Sequence, residues 1–168
     1  MTDLPISETP VTRALEALNV SYRLFTHPGQ VESLVQAAKE RGQSPEQVVR
    51  SIVFRLSGDE FVMALVPGPE QISWQALRAH LGVSRLTMAT RDEVLEHTGY
   101  LPGAVSPFGL PHPMRLLVDE KVFVPKEVSL GSGIRNTTVI LRSDDLRRAL
   151  GKVEVGCFVE CGDQDSRR

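Results

Sequence analysis

Two apolar runs rich in β-branched residues lie close together in the chain, and they constrain the fold more than any other feature. SIVFRL begins at Ser51 and FVMALV begins at Phe61. The short polar turn at Gly58-Asp59 leaves no room for a crossover helix, so the two runs are predicted to pair as antiparallel strands. Any fold for this chain must therefore contain a sheet with a buried hairpin.

Capping residues predict helices on both sides of this hairpin. Helices are expected to begin at the caps Thr9, Ser73, Thr90 and Ser143, and another covers SLVQAAKER before Gly42, with a short helix at EQVV after Ser44-Pro45. Further strands are predicted at residues 22–26 and within SRLTMA, MRLLVD, KVFVP, TTVILR and VEVGCFVE. The predicted order, rich in helices first and in strands later, indicates an α+β fold with a mixed sheet.

The chain length fits a single domain. At 168 residues it can bury one sizeable core without disulfide or metal staples. We expect an N-terminal extension at 1–9, the domain at 10–160 and a polar tail at 161–168. No apolar stretch approaches the roughly 20 residues of a membrane-spanning helix, and the start lacks the pattern of a signal peptide. The expected location is the cytoplasm, with no membrane partner.

Charge and cysteine content exclude other classes. The formal net charge of -2 argues against broad coating of nucleic acid, and DNA is not an expected partner, although one end of a nucleic acid could still be bound. Cys157 and Cys161 cannot form a disulfide framework or a four-cysteine zinc site, and we interpret them as half-buried small apolar residues.

The common catalytic signatures are missing from the sequence. There is no GxxxxGK[ST], GxGxxG, HExxH or GxSxG, and the four histidines are isolated from one another. We therefore predict no metal and no cofactor. A generic hydrolase with His27 as its base stays open as a minor alternative.

Three other features together suggest a binding site. Arg50 begins a buried strand, the loop GYLPGAVSPFGLPHP (99–113) carries three glycines and four prolines, and GSGIRN (131–136) is a second Gly-rich turn. Glycine-rich backbone can approach a ligand closely and turn its amides toward an oxygen. The Arg50 guanidinium, at the rim of the core, could bind a phosphate or a carboxylate.

VVRSIVF, GYLPGAVSPFGLP and GSGIRNTTVILRSDDLRRAL, in this order, resemble the YbaK/EbsC family of free-standing aminoacyl-tRNA deacylases, which is related to the editing domain of prolyl-tRNA synthetase. The resemblance covers about residues 10–155. It implies a single compact α+β domain with a mixed, partly barrel-like sheet surrounded by helices. It also implies hydrolysis of the ester of a mischarged tRNA carrying a small amino acid, without a metal or cofactor.

The resemblance also assigns site residues. Arg50, Gly103 and Ala104 are the implied catalytic positions. Substrate binding is expected at His27, Gly99, Tyr100, Ser106, Pro107, Phe108, Gly109, Ser132 and Gly133. Two positions depart from the family pattern, because Arg50 replaces a lysine and Ala104 stands where a second glycine is common. Ala104 would tolerate a positive φ poorly.

The implied chemistry uses backbone amides of the loop to stabilise the oxyanion, while a ribose hydroxyl of the substrate helps to activate water. The expected partners are the acceptor end of a tRNA and an aminoacyl-tRNA synthetase. The two departures keep a second hypothesis open, in which the fold is a non-catalytic binding module for a small ligand, an aminoacylated end or a synthetase.

Overall fold

The structure, a computed structural model, describes residues 8–160 of the chain. Its helices are α1 (Pro10–Ala17), α2 (Leu34–Glu40), α3 (Trp74–Leu81), α4 (Arg91–Thr98) and α5 (Ser143–Leu150). Its strands are β1 (Arg23–Thr26), β2 (Val49–Arg55), β3 (Phe61–Pro67), β4 (Thr87–Met88), β5 (Arg115–Asp119), β6 (Glu127–Gly131), β7 (Thr137–Arg142) and β8 (Glu154–Gly156). Short 3-10 turns cover Pro45–Gln47 and Glu120–Phe123.

The strands form two sheets. One has the order β1-β7-β6, and the other has the order β4-β2-β3-β5-β8. A parallel bridge between Val48 and Ser129 joins the start of β2 to β6. The predicted hairpin is confirmed, because β2 and β3 pair antiparallel over their whole length, while β3 and β5 are parallel. The fold class is the predicted one, a compact α+β domain with a mixed sheet.

The central strand β3 explains why the run FVMALV does not alternate. Met63 and Leu65 pack into one apolar cluster with residues of α1, β6 and β7, whereas Val62 and Ala64 pack into a second cluster with residues of α3. Every residue of β3 is buried. Burial on both faces requires a continuous apolar run, because each face supplies a separate core.

Several predicted helix boundaries are confirmed by the caps. The Thr9 side chain accepts from the amides of Val11 and Thr12, and Thr90 with Glu93 forms the expected capping box. The Ser143 prediction is wrong: Ser143 is the first residue of α5, the N-cap is Arg142, and the Ser143 hydroxyl donates to the Pro125 carbonyl. That hydroxyl ties α5 to the segment before β6 instead of closing its own helix.

The predicted strand KVFVP is also wrong, because its first residues form the 3-10 turn Glu120–Phe123. The Asp119 carboxylate accepts from the Lys121 amide and from the Phe158 amide, which begins the turn and leaves the next strand to start at Glu127. Val122 is buried while Val124 is exposed. Two residues apart on a strand, they would share one face.

Smaller differences affect the ends of other elements. SRLTMA contributes only the two residues of β4, and EQVV gives a 3-10 turn that ends at Gln47. Cys157 is exposed, so its interpretation as half-buried is wrong, and Cys161 lies outside the described residues. No helix between residues 8 and 160 has the length and hydropathy to span a membrane.

Candidate functional site

A cavity of about 870 Å³ lies where the two sheets meet. Its lining comes from the start of β2, the end of β6 and the start of β7. Further lining residues come from the β1–α2 loop and the Gly/Pro loop. It is lined by His27, Gly29, Gln30, Val31, Arg41, Val48, Val49, Arg50, Ser51, Gly103, Val105, Leu130, Gly131, Arg135, Asn136, Thr137 and Thr138. The lining thus contains three arginines and no carboxylate, which favours a ligand with negative charge or oxygen acceptors.

Arg50 lies between this cavity and a second cleft that includes Glu70 and Trp74. One terminal nitrogen of its guanidinium donates to the Glu70 carbonyl, while its Nε is buried and has no hydrogen-bond partner among residues 8–160. Burial lowers the pKa of Arg50, and the nearby Glu70 charge partly opposes that effect. The guanidinium is therefore anchored on one side and still has hydrogen-bonding capacity on the other.

Ser51, the next residue of β2, has a similar unsatisfied group. Its Oγ is buried and has no hydrogen-bond partner in the described part of the chain, and the residue lines the cavity. A buried hydroxyl without a partner costs free energy, so such atoms are rare outside functional sites. Arg50 and Ser51 together make the start of β2 the part of the wall most ready to bind polar ligand atoms.

His27 lines the cavity as predicted, but both ring nitrogens are engaged. Arg41 Nε lies 3.1 Å from Nε2, and Glu40 Oε1 lies 2.6 Å from Nδ1. An arginine can only donate, so Nε2 accepts and the proton of the neutral ring lies on Nδ1, facing Glu40. The lone pair that a general base needs is occupied by Arg41. This geometry argues against the hypothesis of His27 as the base.

Gly103 is the part of the Gly/Pro loop that reaches the cavity together with Val105. Gly103 has a φ of 92°, and among residues 8–160 no protein carbonyl accepts from its amide. Gly131 of β6 lies directly beneath the loop, where an added Cβ would come within 2.1 Å of the Val105 carbonyl oxygen. The loop can approach the sheet this closely only because position 131 has no side chain.

The remaining predicted site residues do not line the cavity. They are Gly99, Tyr100, Ala104, Ser106, Pro107, Phe108, Gly109, Ser132 and Gly133. Several of them form hydrogen bonds within the loop. Tyr100 donates to the Phe108 carbonyl at 2.6 Å, and burial raises the pKa of Tyr100 to about 12, so that it stays a donor. The Phe108 amide in turn donates to Ser106 Oγ. Their role in binding substrate stays a prediction.

Ala104 is accommodated without the strain that the sequence suggested. Only Asn19 and Asn136 have a positive φ among the described non-glycine residues, so Ala104 lies in an ordinary region of φ. Its amide donates to the Leu101 carbonyl at 2.9 Å, and its carbonyl accepts from the Gly133 amide. Of Gly103 and Ala104, the two loop residues implied as catalytic, Gly103 lines the cavity and Ala104 does not.

Sequence reasoning missed several cavity residues, above all Arg41. Arg41 follows the last turn of α2, and nothing in the sequence distinguishes it from the other scattered arginines. Thr137 and Thr138 belong to the run TTVILR, which was predicted only as a strand. Arg135 and Asn136 were recognised only as parts of a turn. Asn136 has a φ of 70° and its amide side chain donates to the His27 carbonyl, which joins the β7 turn to the end of β1.

The described residues contain no cluster of three or more His, Cys, Asp or Glu side chains that could bind a metal ion. The polar groups that line the cavity include guanidinium groups, hydroxyls and the backbone of Gly103.

A family model of the sequence identifies the class of domain to which the chain belongs. The sequence model of the aminoacyl-tRNA editing domain family matches residues 27–149, which include every residue that lines the cavity. The chain belongs to this family.

Individual relatives agree with this assignment. The chain is 28% identical over 131 residues to the multifunctional Ser/Thr-tRNA deacylase ProXp-y of Escherichia coli, covering 76% of this chain and 78% of that protein. It is 37% identical over 96 residues to the proline–tRNA ligase of Kosmotoga olearia, covering 57% of this chain. It spans between 16% and 20% of the length of this and three other such ligases.

A solved structure shows the same fold over nearly the whole chain. The crystal structure of a candidate trans-editing enzyme for prolyl tRNA synthetase superposes with a TM-score of 0.82 at 26% identity, covering 95% of this chain and all of that one.

Proposed function

We propose that this protein is a trans-editing aminoacyl-tRNA deacylase that hydrolyses the ester of a mischarged tRNA. The observation that carries the proposal is the cavity with three arginines, no carboxylate and two buried polar atoms that lack partners. The end of a tRNA offers phosphate, hydroxyl and ester oxygens, which could accept hydrogen bonds from the unpartnered groups of Arg50 and Ser51. Family membership and the deacylase relative support the same activity.

The reaction needs little from the side chains. Water adds to the ester carbonyl carbon, the bond from that carbon to the ribose oxygen breaks, and a proton passes from the water to the leaving ribose hydroxyl. We assign to the Gly103 amide, from which no protein carbonyl accepts among residues 8–160, a hydrogen bond to the oxyanion that forms on the carbonyl oxygen. With the His27 lone pair occupied, we assign activation of the water to a neighbouring ribose hydroxyl of the substrate.

Arg50 has the role of holding the terminal nucleotide. Its anchored guanidinium can donate to a phosphate oxygen without losing the bond to the Glu70 carbonyl, because arginine carries five N–H donors. A pocket of fixed shape discriminates poorly against smaller side chains, so we expect selection by size to favour small amino acids. If its substrate is a tRNA, we expect this protein to act in the cytoplasm and to be functionally associated with a synthetase.

One observation favours a second function. Arg50 donates outside the cavity, to the Glu70 carbonyl, and it replaces the lysine of the family pattern. If the bond to the Glu70 carbonyl keeps the guanidinium from contacting the substrate during hydrolysis, the protein would bind an aminoacylated end without hydrolysing it.

A deacylation panel tests both functions. Pure protein at micromolar concentration is incubated with one tRNA carrying Ala, Ser, Thr, Cys, Pro or Ile, and loss of the ester is measured with Arg50→Ala as the control. We expect hydrolysis of small aminoacyl groups, little of the Ile ester, and loss of activity in the variant. If every ester is stable while an amide-linked aminoacyl adenosine binds, the protein is a binding module.

A further inference from the structure

The three arginines of the cavity lie at different depths. Arg135 is exposed, and its Nε lies 4.0 Å from where a side chain on Gly103 would begin, so it marks the rim. Arg50 and Arg41 are both partly buried. Arg41 donates to the side chains of His27 and Ser129, which are both buried, whereas Arg50 donates to the Glu70 carbonyl at the second cleft, so Arg41 is the more deeply placed. The positive charge thus extends from the rim into the interior of the cavity.

Arg41 is held in one orientation by two separate contacts. Its Nε donates to His27 Nε2, and a terminal nitrogen donates to Ser129 Oγ at 2.7 Å. Both acceptors are fixed in turn, because His27 binds Glu40 and Ser129 donates to the Gln43 side chain. The guanidinium plane is therefore set before any ligand enters, which reduces the entropy lost on binding.

The charge of Arg41 is not neutralised by these contacts. The neighbouring Glu40 carboxylate is occupied by His27 and by the Gln36 amide, and no ion pair within residues 8–160 includes Arg41. Arginines elsewhere do have carboxylate partners, as Arg55 has in Glu93 and Arg115 has in Glu154. The Glu40 charge favours the Arg41 cation without forming an ion pair with it, so the guanidinium can still make a strong charged hydrogen bond to a ligand acceptor.

The direction of entry decides which part of the substrate reaches Arg41. The substrate is the end of a polymer, so its phosphates must remain toward the rim, where Arg135 and Arg50 lie. The amino acid is attached to the last ribose and leads into the cavity. Arg41, the deepest of the three arginines, therefore faces the amino acid and not the nucleotide chain. This step rests on the function proposed above.

We propose that Arg41 is a specificity-determining residue that donates a hydrogen bond to the side chain of the amino acid. The site then favours aminoacyl groups whose side chain carries a hydroxyl oxygen close to Cβ over alkyl groups of similar size. A site built to bond a hydroxyl rejects an analogue that lacks it far more strongly than a wholly apolar pocket can separate side chains by size. The hydroxyls of Ser51 and Thr137 in the same lining add to this polar character.

The test compares Ser and Ala esters on the same tRNA. We expect the wild type to show a kcat/KM for Ser about 10- to 100-fold above that for Ala. Arg41→Leu is expected to abolish most of this ratio by lowering the Ser value, with the Ala value unchanged or slightly raised, and Arg41→Lys to retain part of it. Arg55→Leu is the matched control, because Arg55 also makes two protein hydrogen bonds but lies outside the cavity.

Other outcomes would overturn the proposal. An equal fall for both esters in Arg41→Leu would mean that Arg41 acts on the ester, on a phosphate or on the fold. A phosphate contact is recognised because the fall disappears with aminoacyl adenosine that lacks the phosphate. An unchanged ratio would show that Arg41 does not contact the side chain at all.

Failure of the proposed function is detected separately. If the wild type hydrolyses no ester, the same variants are compared for binding of amide-linked seryl and alanyl adenosine. A preference for the seryl analogue that Arg41→Leu removes would uphold the role of Arg41 in a binding module. Equal affinities for the two analogues in the wild type would contradict it.

Discussion

Two regions of the molecule carried the sequence signals of a site, and the structure gives them different roles. The cavity wall around the start of β2 contains polar atoms without partners, namely Arg50 Nε and Ser51 Oγ. The Gly/Pro loop is mostly saturated: Tyr100 bonds to the Phe108 carbonyl, and the Ala104 amide bonds to Leu101. The start of β2 therefore has polar atoms available for a ligand, whereas most polar groups of the loop form hydrogen bonds within the loop.

The comparison teaches how a loop can shape a site without lining it. Only Gly103 and Val105 of the loop reach the cavity, and the residues on either side pack into the core or against β6. Glycines and prolines in a sequence mark an unusual backbone path, which serves ligand contact and internal support equally well. Unsatisfied buried polar atoms separate the two uses, because only a ligand can supply the missing partner.

The largest expected effect comes from Gly131→Ala, which would force the Gly/Pro loop away from β6. The new Cβ would meet the Val105 carbonyl at 2.1 Å, and a backbone atom cannot be displaced cheaply. We expect a loss of about 3 kcal/mol in the free energy of unfolding, from overpacking, and a fall in activity as the loop shifts. Urea denaturation and the deacylation assay measure the two effects.

Gly29→Ala is the matched control for Gly131→Ala. Gly29 also lines the cavity, but an added Cβ there has no atom within 4 Å. A stability loss as large in Gly29→Ala would mean that the contact between Gly131 and the loop is not the cause.

The next effect sharpens the role of the wall. Arg50→Ala removes the half-buried guanidinium, and we expect kcat/KM for deacylation to fall about 10- to 100-fold, as for loss of a hydrogen bond from a charged group. The melting temperature should change little, because the side chain makes only one hydrogen bond to the described protein, to the Glu70 carbonyl. Steady-state kinetics and thermal unfolding are measured on the same preparation.

Arg50→Lys separates the two proposed functions at this position. A sharp gain of activity from a nearly inert wild type would show that the natural arginine does not support the reaction, and would favour the binding module. Retained or reduced activity agrees with Arg50 as the substrate-holding residue.

The smallest effect tests the loop as a support. Tyr100→Phe deletes a buried hydrogen bond to the Phe108 carbonyl, which we expect to cost about 1–2 kcal/mol in the free energy of unfolding while kcat/KM stays unchanged. Tyr22→Phe is the control, because the Tyr22 hydroxyl bonds to Glu16 at an exposed position and should cost less. A tenfold fall in activity with unchanged stability would instead place Tyr100 in the site.

Much of the fold could be predicted from the sequence because its signals are local. The β2–β3 hairpin follows from a short turn between two apolar runs, and the starts of α1 and α4 follow from caps whose hydrogen bonds span three residues. Two of the wrong predictions depend on distant partners. Asp119 turns the chain into a 3-10 segment while bonding Phe158, and the Ser143 hydroxyl bonds Pro125 instead of its own helix.

The candidate site shows the same division. Arg50 and Gly103 could be singled out because their motifs resemble a known family, and His27 could be singled out as a possible base. Arg41 could not, because its importance depends on His27 and Ser129, which are 14 and 88 residues away in the chain.

By itself the sequence determined an α+β domain, its central hairpin and the family to which the motifs point, since turns, caps and apolar runs act between near neighbours. The tertiary structure alone decided which polar groups remain without partners. Hydrogen bonds and burial are settled between residues far apart in the chain, so only the folded molecule shows that Arg41 and Arg50 face a cavity while Tyr100 and Ala104 support it.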